Sequence, residues 1–237
     1  MIDKESLKGS LNPKLIVERI QFMEEFYKTH PNFFHPSGLL VFCGPQGSGK
    51  TLSAVSYVQK LTYSYPKAIL VTNMQIEGIN PETTILKYMG IESLLKVKNG
   101  FHGVIFLIDE IHLQFNSQDS KNVPLEVMKQ AAQQRKQRIH IVGTSQKFNR
   151  LSKPFREQIN VACLCRSYFT FLQVNKFVLG EESEEKDGKL NAPCKYRTFW
   201  FHNPKLYNNY DTFEVMATAN TLNEISQQTK SEVFLNG

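Results

Sequence analysis

The order of apolar and polar segments predicts an α/β fold, in which a parallel sheet is flanked by helices and followed by a small β-rich C-terminal extension. Two observations favour this fold. Short apolar segments alternate with helix-like segments as far as residue 168, and strands that are apolar throughout are typical of a parallel sheet covered on both faces. Beyond residue 168, aromatic-rich segments follow one another without a helix between them, which indicates antiparallel strands.

The predicted elements divide the 237-residue chain into three parts. Strands are predicted at residues 39–42, 68–72, 104–108, 139–143 and 161–165, followed by the antiparallel segments 169–179 and 196–201. Helices are predicted at residues 13–29, 50–61, 81–98 with a break at Gly90, and 124–137. We expect an N-terminal helix and lead-in over residues 1–37, a core over residues 38–168, and a β-rich extension and tail over residues 169–237. The acidic stretch 181–187 is predicted to be a solvated hairpin loop.

The composition limits the class of protein. A hydrophobic content of 41% excludes a wholly disordered chain, and 28 Lys and Arg against 22 Asp and Glu give a net charge of +6, which permits a polyanionic partner. The four cysteines show no metal-site or disulfide spacing and are predicted to be buried, reduced thiols. The longest apolar runs are of strand length, so we expect no contact with a membrane and a cytoplasmic location.

A phosphate-binding loop is predicted between the first strand and the helix that follows it. The segment Gly44-Pro45-Gln46-Gly47-Ser48-Gly49-Lys50-Thr51 matches G-x-x-x-x-G-K-[ST] in full, and a strand before it and a helix after it are the context that this motif requires. Glycines allow backbone N–H groups to surround phosphate oxygens, and the helix N-terminus adds partial positive charge. Lys50 is expected to contact the β- and γ-phosphates of ATP, and the Thr51 hydroxyl to bind Mg²⁺.

Two consecutive acids end the strand at residues 104–108. Asp109 is expected to hold Mg²⁺, and Glu110 to orient or deprotonate the attacking water. This pair is typical of enzymes that hydrolyse ATP rather than of kinases or GTPases. Guanine specificity is also unsupported, because the segment Asn175-Lys176-Phe177-Val178 lacks the aspartate of an [NT]KxD motif.

Polar and basic residues beyond the second acid supply further candidates. Gln146, and after it Thr144, follow the strand at 139–143 and are candidates to touch the γ-phosphate or the water. The segment from residue 129 to residue 156 is basic and without an acidic residue. Its side chains suit either nucleic-acid phosphates, an arginine that reaches a neighbouring subunit's nucleotide, or a solvated basic face. The eight basic residues are Lys129, Arg135, Lys136, Arg138, Lys147, Arg150, Lys153 and Arg156.

Taken together, these motifs resemble the additional-strand, catalytic-glutamate P-loop ATPases, and among them the HerA–FtsK-related viral packaging ATPases and Zot-like assembly ATPases. The resemblance covers about residues 38–168. It rests on five segments: Gly44 to Thr51, Ile108-Asp109-Glu110-Ile111-His112, Gln134-Arg135-Lys136, Ile141 to Gln146, and Leu151-x-x-Pro154-x-Arg156. It implies a RecA-like core that uses ATP and Mg²⁺, and a catalytic set of Lys50, Glu110, Gln146 and a trans-acting Arg135.

The resemblance also implies a function and partners. The expected protein is a pentameric or hexameric homo-oligomeric ring that drives double-stranded DNA into a procapsid, docked on the portal or connector in the host cytoplasm. Three alternatives stay open. One is another DNA-handling ATPase, such as a helicase loader or conjugation-type motor. Another is a Zot-like virion morphogenesis ATPase that acts through protein partners. The third is a nucleotide-dependent switch or small-molecule kinase.

Overall fold

A computed structural model describes residues 13–115, 137–169, 171–180, 184–186, 189–191, 193–202 and 210–211. The chain forms two compact units, residues 1–33 and 34–237. In the first unit, helix α1 spans Pro13–Thr29, as predicted. The described helices of the second unit are α2 (Lys50–Ser64), α3 (Ile91–Lys96) and α4 (Lys153–Arg156). Three short 3₁₀ turns lie at Gly100–His102, Ile111–Leu113 and Phe148–Arg150.

The described strands supply a main sheet and two small antiparallel pairs. The main-sheet strands are β1 (Gly38–Cys43), β2 (Ile69–Thr72), β4 (Thr84–Lys87), β5 (Val104–Ile108), β6 (Ile139–Ser145), β7 (Ile159–Tyr168), β8 (Leu172–Leu179) and β11 (Cys194–Phe201). Strand β3 (Gln75–Ile76) pairs with β12 (Tyr210–Asp211). Strands β9 (Glu184–Lys186) and β10 (Lys189–Asn191) form a hairpin, which confirms the hairpin predicted for the acidic stretch.

The main sheet has the order β11-β8-β7-β1-β6-β5-β2-β4. The six strands from β7 to β4 run parallel to their neighbours, whereas β8 and β11 are antiparallel. Strand β6 therefore lies between β1 and β5, so the segments that follow these three strands meet at one edge of the sheet. The predicted α/β architecture, with antiparallel strands after the parallel ones, is confirmed.

Apolar side chains alternate between the two faces of the sheet, as the two-residue repeat of a strand requires. One face packs Leu40, Phe42 and Leu107 against α2 through Val55 and Val58. The opposite face packs strand residues against α3 and α4, and its members include Leu39, Val41, Leu94, Phe106, Ile108, Ile141 and Phe155. The predicted buried thiols are confirmed at three positions, and Cys194 is exposed and free. Among the described residues, no helix is long and apolar enough to cross a membrane.

The structure corrects one predicted element. A helical region was expected from residue 81 to residue 98, but Thr84–Lys87 form strand β4 at the edge of the sheet, parallel to β2. Only Ile91–Lys96 are helical, after a Gly90 with a φ of 94°. The β-branched pair Thr84 and Ile85 favours a strand, and backbone hydrogen bonding to β2 satisfies the segment. The predicted helix at 124–137 lies almost wholly outside the described residues.

The predicted division at residue 168 stays a prediction. Strands β8 and β11 lie beyond this boundary, yet they extend the same sheet as the predicted core by pairing with β7 and with each other.

A buried histidine links two strands next to the phosphate loop. The imidazole Nδ1 of His140 lies 3.1 Å from the carbonyl oxygen of Gly38, and Nε2 lies 3.0 Å from the Tyr57 hydroxyl. Burial lowers the pKa of His140 from 6.5 to about 4, although backbone hydrogen bonds oppose the shift. The neutral ring fits both contacts, with Nδ1–H as donor and Nε2 as acceptor.

We expect His140 to make the fold less stable in acid. Between pH 6.5 and about 4 the unfolded chain holds a proton on this ring that the folded chain lacks, so stability falls as the pH falls. The loss from about pH 7.5 to about pH 5 is expected to be roughly 2 kcal/mol. Urea unfolding of the wild type and of His140→Gln at both pH values measures it, with His30→Gln, which changes an exposed ring, as the control. Equal pH dependence in the wild type and His140→Gln would contradict this expectation.

Candidate functional site

The phosphate loop connects the carboxyl end of β1 to the first turn of α2. Gly47 and Gly49 have φ angles of 77° and 76°, in the left-handed region where a side chain is strained. Gly49 is the residue that caps α2, so the loop turns directly into the helix N-terminus. The Ser48 hydroxyl is buried and has no hydrogen-bond partner among the described residues. The loop therefore presents a polar, glycine-rich concavity at a helix N-terminus, which is suited to phosphate.

Asp109 is held by hydroxyl groups from two other elements. The Thr144 hydroxyl, at the end of β6, donates to the Asp109 Oδ1 at 2.6 Å, and the Thr51 hydroxyl donates to the same oxygen at 3.0 Å. Burial raises the pKa of Asp109, the negative charge of Glu110 adds to this rise, and hydrogen bonds from the two threonines oppose it. The predicted metal-binding pair, Thr51 and Asp109, therefore lies within hydrogen-bond distance.

Glu110 leaves the strand in an unusual backbone conformation. Its φ of 51° and ψ of 47° lie in the left-handed region, which non-glycine residues seldom adopt, and its N–H donates to the Thr144 hydroxyl at 2.9 Å. The carboxylate Oε1 lies 3.5 Å from the Lys50 ammonium, and Oε2 lies 3.1 Å from the His112 Nδ1. Burial alone would raise the pKa of Glu110, but the contacts with His112 and Lys50 bring it below its ordinary value. Glu110 is thus a carboxylate at neutral pH.

Two more residues keep the acids in place. The Asn73 side chain, just after β2, accepts a hydrogen bond from the Asp109 N–H at 2.9 Å and donates to the Asp109 carbonyl at 3.1 Å. The His112 Nδ1 also lies 3.4 Å from the Ser145 hydroxyl, which donates to the Lys147 carbonyl. The segment after β5 is therefore tied to the ends of both neighbouring strands.

A buried polar network joins the phosphate loop to the C-terminal strands. The amide of Gln173, on β8, is wholly buried and donates to the Ser48 carbonyl at 3.0 Å and to the Asn175 Oδ1 at 2.9 Å. The Gln173 Oε1 lies 3.0 Å from the Nε2 of His202, and Asn175 in turn donates to the Ser53 hydroxyl at 3.1 Å. A Cβ atom at Gly49 would come within 2.1 Å of the Gln173 Oε1, so this close packing requires glycine there.

The remaining predicted residues lie farther from the acids. Gln146 is exposed and accepts a hydrogen bond from Arg150 at 2.9 Å, whereas Thr144, the second choice, contacts both acids. The catalytic role of Gln146 stays a prediction. Arg138, at the amino end of β6, donates to the Phe34 carbonyl and lies over the Phe101 ring, at the opposite edge of the sheet from the acids. Arg135, with Lys129 and Lys136, lies outside the described residues.

The residues present fit a Mg²⁺–nucleotide complex. Mg²⁺ prefers oxygen ligands, and the Thr51 hydroxyl and the Asp109 carboxylate are two oxygen donors held 3.0 Å apart beside the phosphate loop. A divalent cation would favour the ionised form of Asp109, which burial otherwise disfavours. The unpartnered Ser48 hydroxyl and the Lys50 ammonium provide donors for phosphate oxygens.

Sequence reasoning gave no role to several residues that contact this site. Asn73 could have been recognised, because it is a polar residue directly after a buried strand, in the same position as Asp109 relative to β5. His112 follows Glu110 by two residues, but only the turn at Ile111–Leu113 brings its ring back to the carboxylate. Gln173 and Asn175 carry no local signal, since they are 125 and 122 residues away from their partners.

Comparisons with known proteins agree with this geometry. The chain is similar in structure to the N-terminal domain of zonular occludens toxin from Neisseria meningitidis, with 16% identity, a TM-score of 0.52, and coverage of 74% of this chain and 100% of that one. It also matches the genome packaging NTPase B204 from Sulfolobus turreted icosahedral virus 2 in complex with ATP-gammaS, at 12% identity, a TM-score of 0.45, and 56% and 76% coverage. A third solved structure, of an ATPase domain, matches at 11% identity, a TM-score of 0.47, and 82% and 97% coverage. A search of curated proteins finds no match.

Residues 40–166 match the family described as "ATPase family associated with various cellular activities (AAA)". This segment is more than half of the chain, and it runs from β1 through the phosphate loop and both acids to β7. The fold is that of a RecA-like P-loop ATPase core, and ATP is the nucleotide of the family. The protein therefore belongs to the AAA family of ATPases and hydrolyses ATP.

Proposed function

We propose that this ATPase works as a homo-oligomeric ring that translocates double-stranded DNA into a procapsid. The observation that carries the proposal is the assembly of Lys50, Asp109 and Glu110 at one edge of the sheet, next to a basic surface. The described part of that surface includes Lys147, Arg150, Lys153 and Arg156, in a segment without an acidic residue. A positive surface beside an ATP-hydrolysing site suits a motor that contacts the phosphates of a duplex.

The chemistry consists of positioning and charge neutralisation. Lys50 and the loop backbone hold the phosphates, and Thr51 and Asp109 hold Mg²⁺, which when bound neutralises charge on the phosphate oxygens. Glu110 orients the attacking water and accepts its proton. Thr144 fixes the positions of both acids, because its hydroxyl bonds the Asp109 carboxylate and the Glu110 backbone at once. In a ring, Arg135 of a neighbouring subunit supplies positive charge to the γ-phosphate.

Nucleotide binding changes the environment of Glu110. The Lys50 ammonium lies 3.5 Å from the Glu110 carboxylate, and phosphate oxygens compete for the same ammonium. Since the Lys50 charge lowers the pKa of Glu110, moving this charge to the phosphates makes the carboxylate a stronger base. The base is thereby activated when there is a substrate to hydrolyse.

Substitutions at Glu110 and Lys50 should have different effects. Glu110→Gln keeps the shape of the side chain but cannot accept the proton, so we expect turnover to fall by roughly 10² to 10⁴ with ATP still bound. Lys50→Ala removes a phosphate contact and should weaken both ATP binding and turnover. Steady-state ATPase rates and equilibrium binding of a fluorescent ATP analogue measure the two effects. A Glu110→Gln protein that fails to bind ATP would show that Glu110 has a structural or metal-binding role instead.

Gln173 should act as a positioning residue for the phosphate loop. Gln173→Leu leaves the Ser48 carbonyl without its donor, and the loss of one buried hydrogen bond costs about 1–3 kcal/mol, so ATP affinity is expected to fall by about tenfold. Gln59→Leu is the matched control, because Gln59 is also buried on the α2 side but donates to the Glu77 carbonyl, away from the loop. If the two variants lose equal thermal stability and neither loses ATP affinity, the contact only stabilises the fold.

Duplex DNA should stimulate the ATPase, since hydrolysis is coupled to movement along it. We expect a higher rate with linear duplex DNA, a ring mass by native mass spectrometry, and binding that weakens steeply with salt. Lys153→Gln should reduce the log–log salt slope by about 0.9, the contribution of one phosphate contact. Lys67→Gln, at an exposed position before β2, is the control. An unchanged rate with DNA, in a protein that forms rings, would contradict the proposal and favour action through protein partners.

A further inference from the structure

Strands β7, β8 and β11 have one covered face and one face turned away from α2. On the covered face, Cys163, Cys165 and Phe177 pack in the same cluster as the α2 side chains. The cross-strand register places the alternate residues together on the other face, with Lys176 opposite both Leu164 and Arg197, and Val174 opposite both Arg166 and Phe199. We call this second surface the open face; its basic and aromatic residues are Arg166, Tyr168, Lys176, Arg197, Phe199 and Phe201.

The open face is positively charged. None of the three strands contains an aspartate or a glutamate, and Arg166 and Arg197 form no salt bridge with another described residue. Lys176 and Arg197 lie directly opposite each other on neighbouring strands, an arrangement that destabilises a sheet unless an anion lies nearby. The charge pattern therefore favours an anionic ligand on this face.

Exposed aromatic rings lie in line with these cations. Phe199 is 63% exposed and Phe201 is 71% exposed, and Tyr168, across β8 from Phe201, is 42% exposed. Phe171 stacks on Phe201 with ring centroids 6.1 Å apart. Large apolar side chains in a contiguous exposed group mark a binding surface, because leaving them in water opposes folding.

A groove connects the open face to the phosphate loop. It has a volume of about 510 Å³ and is lined by Gly44 and Pro45 of the loop, by Lys147 beyond β6, and by Arg166 and Arg197. None of its lining residues in the described part of the chain is acidic. A ligand on the open face would thus extend to within contact of the loop that binds ATP.

We propose that the open face binds single-stranded nucleic acid. Arg166, Arg197 and Lys147 contact its phosphates, and unpaired bases stack on Phe199 and Phe201. A polyanion that also presents flat aromatic faces matches both halves of the surface, and stacking on protein side chains is how single strands are held without sequence preference. A duplex would use the cations but not the rings, because its bases are already stacked on one another. The inference goes beyond the proposed motor function, since binding requires neither hydrolysis nor translocation.

The test measures binding of a fluorescein-labelled oligothymidylate by anisotropy, without ATP, over a range of salt concentrations. We expect the wild type to bind it more tightly than a duplex of the same length. Arg166→Gln with Arg197→Gln should weaken binding and reduce the log–log salt slope by about 1.4, at about 0.7 for each single-strand phosphate contact. Phe199→Ala with Phe201→Ala should weaken binding by roughly tenfold or more and leave the salt slope unchanged, because stacking releases no counterions.

The controls change equivalent residues elsewhere on the surface. Lys67→Gln removes an exposed cation, and Tyr63→Ala removes a ring that is 60% exposed, on α2; both should bind like the wild type. Three results would each overturn the proposal. The first is wild-type affinity in both double variants. The second is duplex binding as tight as single-strand binding and insensitive to the phenylalanine changes. The third is an arginine double variant with weaker ATP binding and unaltered oligonucleotide binding, which would assign the groove to the nucleotide.

ATPase activity without nucleic acid separates this test from that of the motor function. The open-face variants keep Lys50, Asp109 and Glu110, so their basal ATPase rate reports that the site is intact. Stimulation by duplex DNA can then persist when oligothymidylate binding is lost, or fail when that binding is retained. The two proposals therefore fail independently.

Discussion

The hydrogen bond from the Thr144 hydroxyl to the Asp109 carboxylate is the contact on which the site depends. It joins the ends of β6 and β5, and the same carboxylate oxygen accepts a hydrogen bond from Thr51 at the start of α2. The Thr144 oxygen also accepts the Glu110 N–H, which keeps that residue in its left-handed conformation. One hydroxyl thus fixes the relative positions of both acids and, through Thr51, of the phosphate loop.

The sequence predicted those parts of the structure that depend on local pattern. The apolar runs gave the positions of β1, β2, β5, β6 and β7, because a strand buried on both faces must be apolar throughout. The phosphate loop and the two acids were predicted from motif and position in the same way. Strand β4 was missed, since the short exposed segment Thr84–Lys87 has little apolar pattern of its own and is a strand because it pairs with β2.

Contacts between distant segments could not be predicted from one sequence. Both Thr144 and Gln146 are polar residues near the end of β6, and only the side to which each one points distinguishes them. Thr144 is buried against the acids, while Gln146 is exposed and pairs with Arg150. Gln173 was treated as an ordinary residue of an antiparallel strand, because its contact with Ser48 exists only once β8 is placed beside β7 and β7 beside β1. The identity of a side chain does not reveal such a partner.

The contact between Gln173 and the phosphate loop has a consequence for the order in which the protein matures. The Ser48 carbonyl receives its hydrogen bond from a residue made 125 positions later, and Gln173 is itself held by His202, another 29 positions on. A chain emerging from the ribosome therefore carries the complete nucleotide-binding motif long before the support beneath it exists. Contacts of such long range also close late in folding, because the entropy of a large loop must be lost first. The nascent chain would acquire its full affinity for ATP only after β8 and the segment through His202 have joined the sheet.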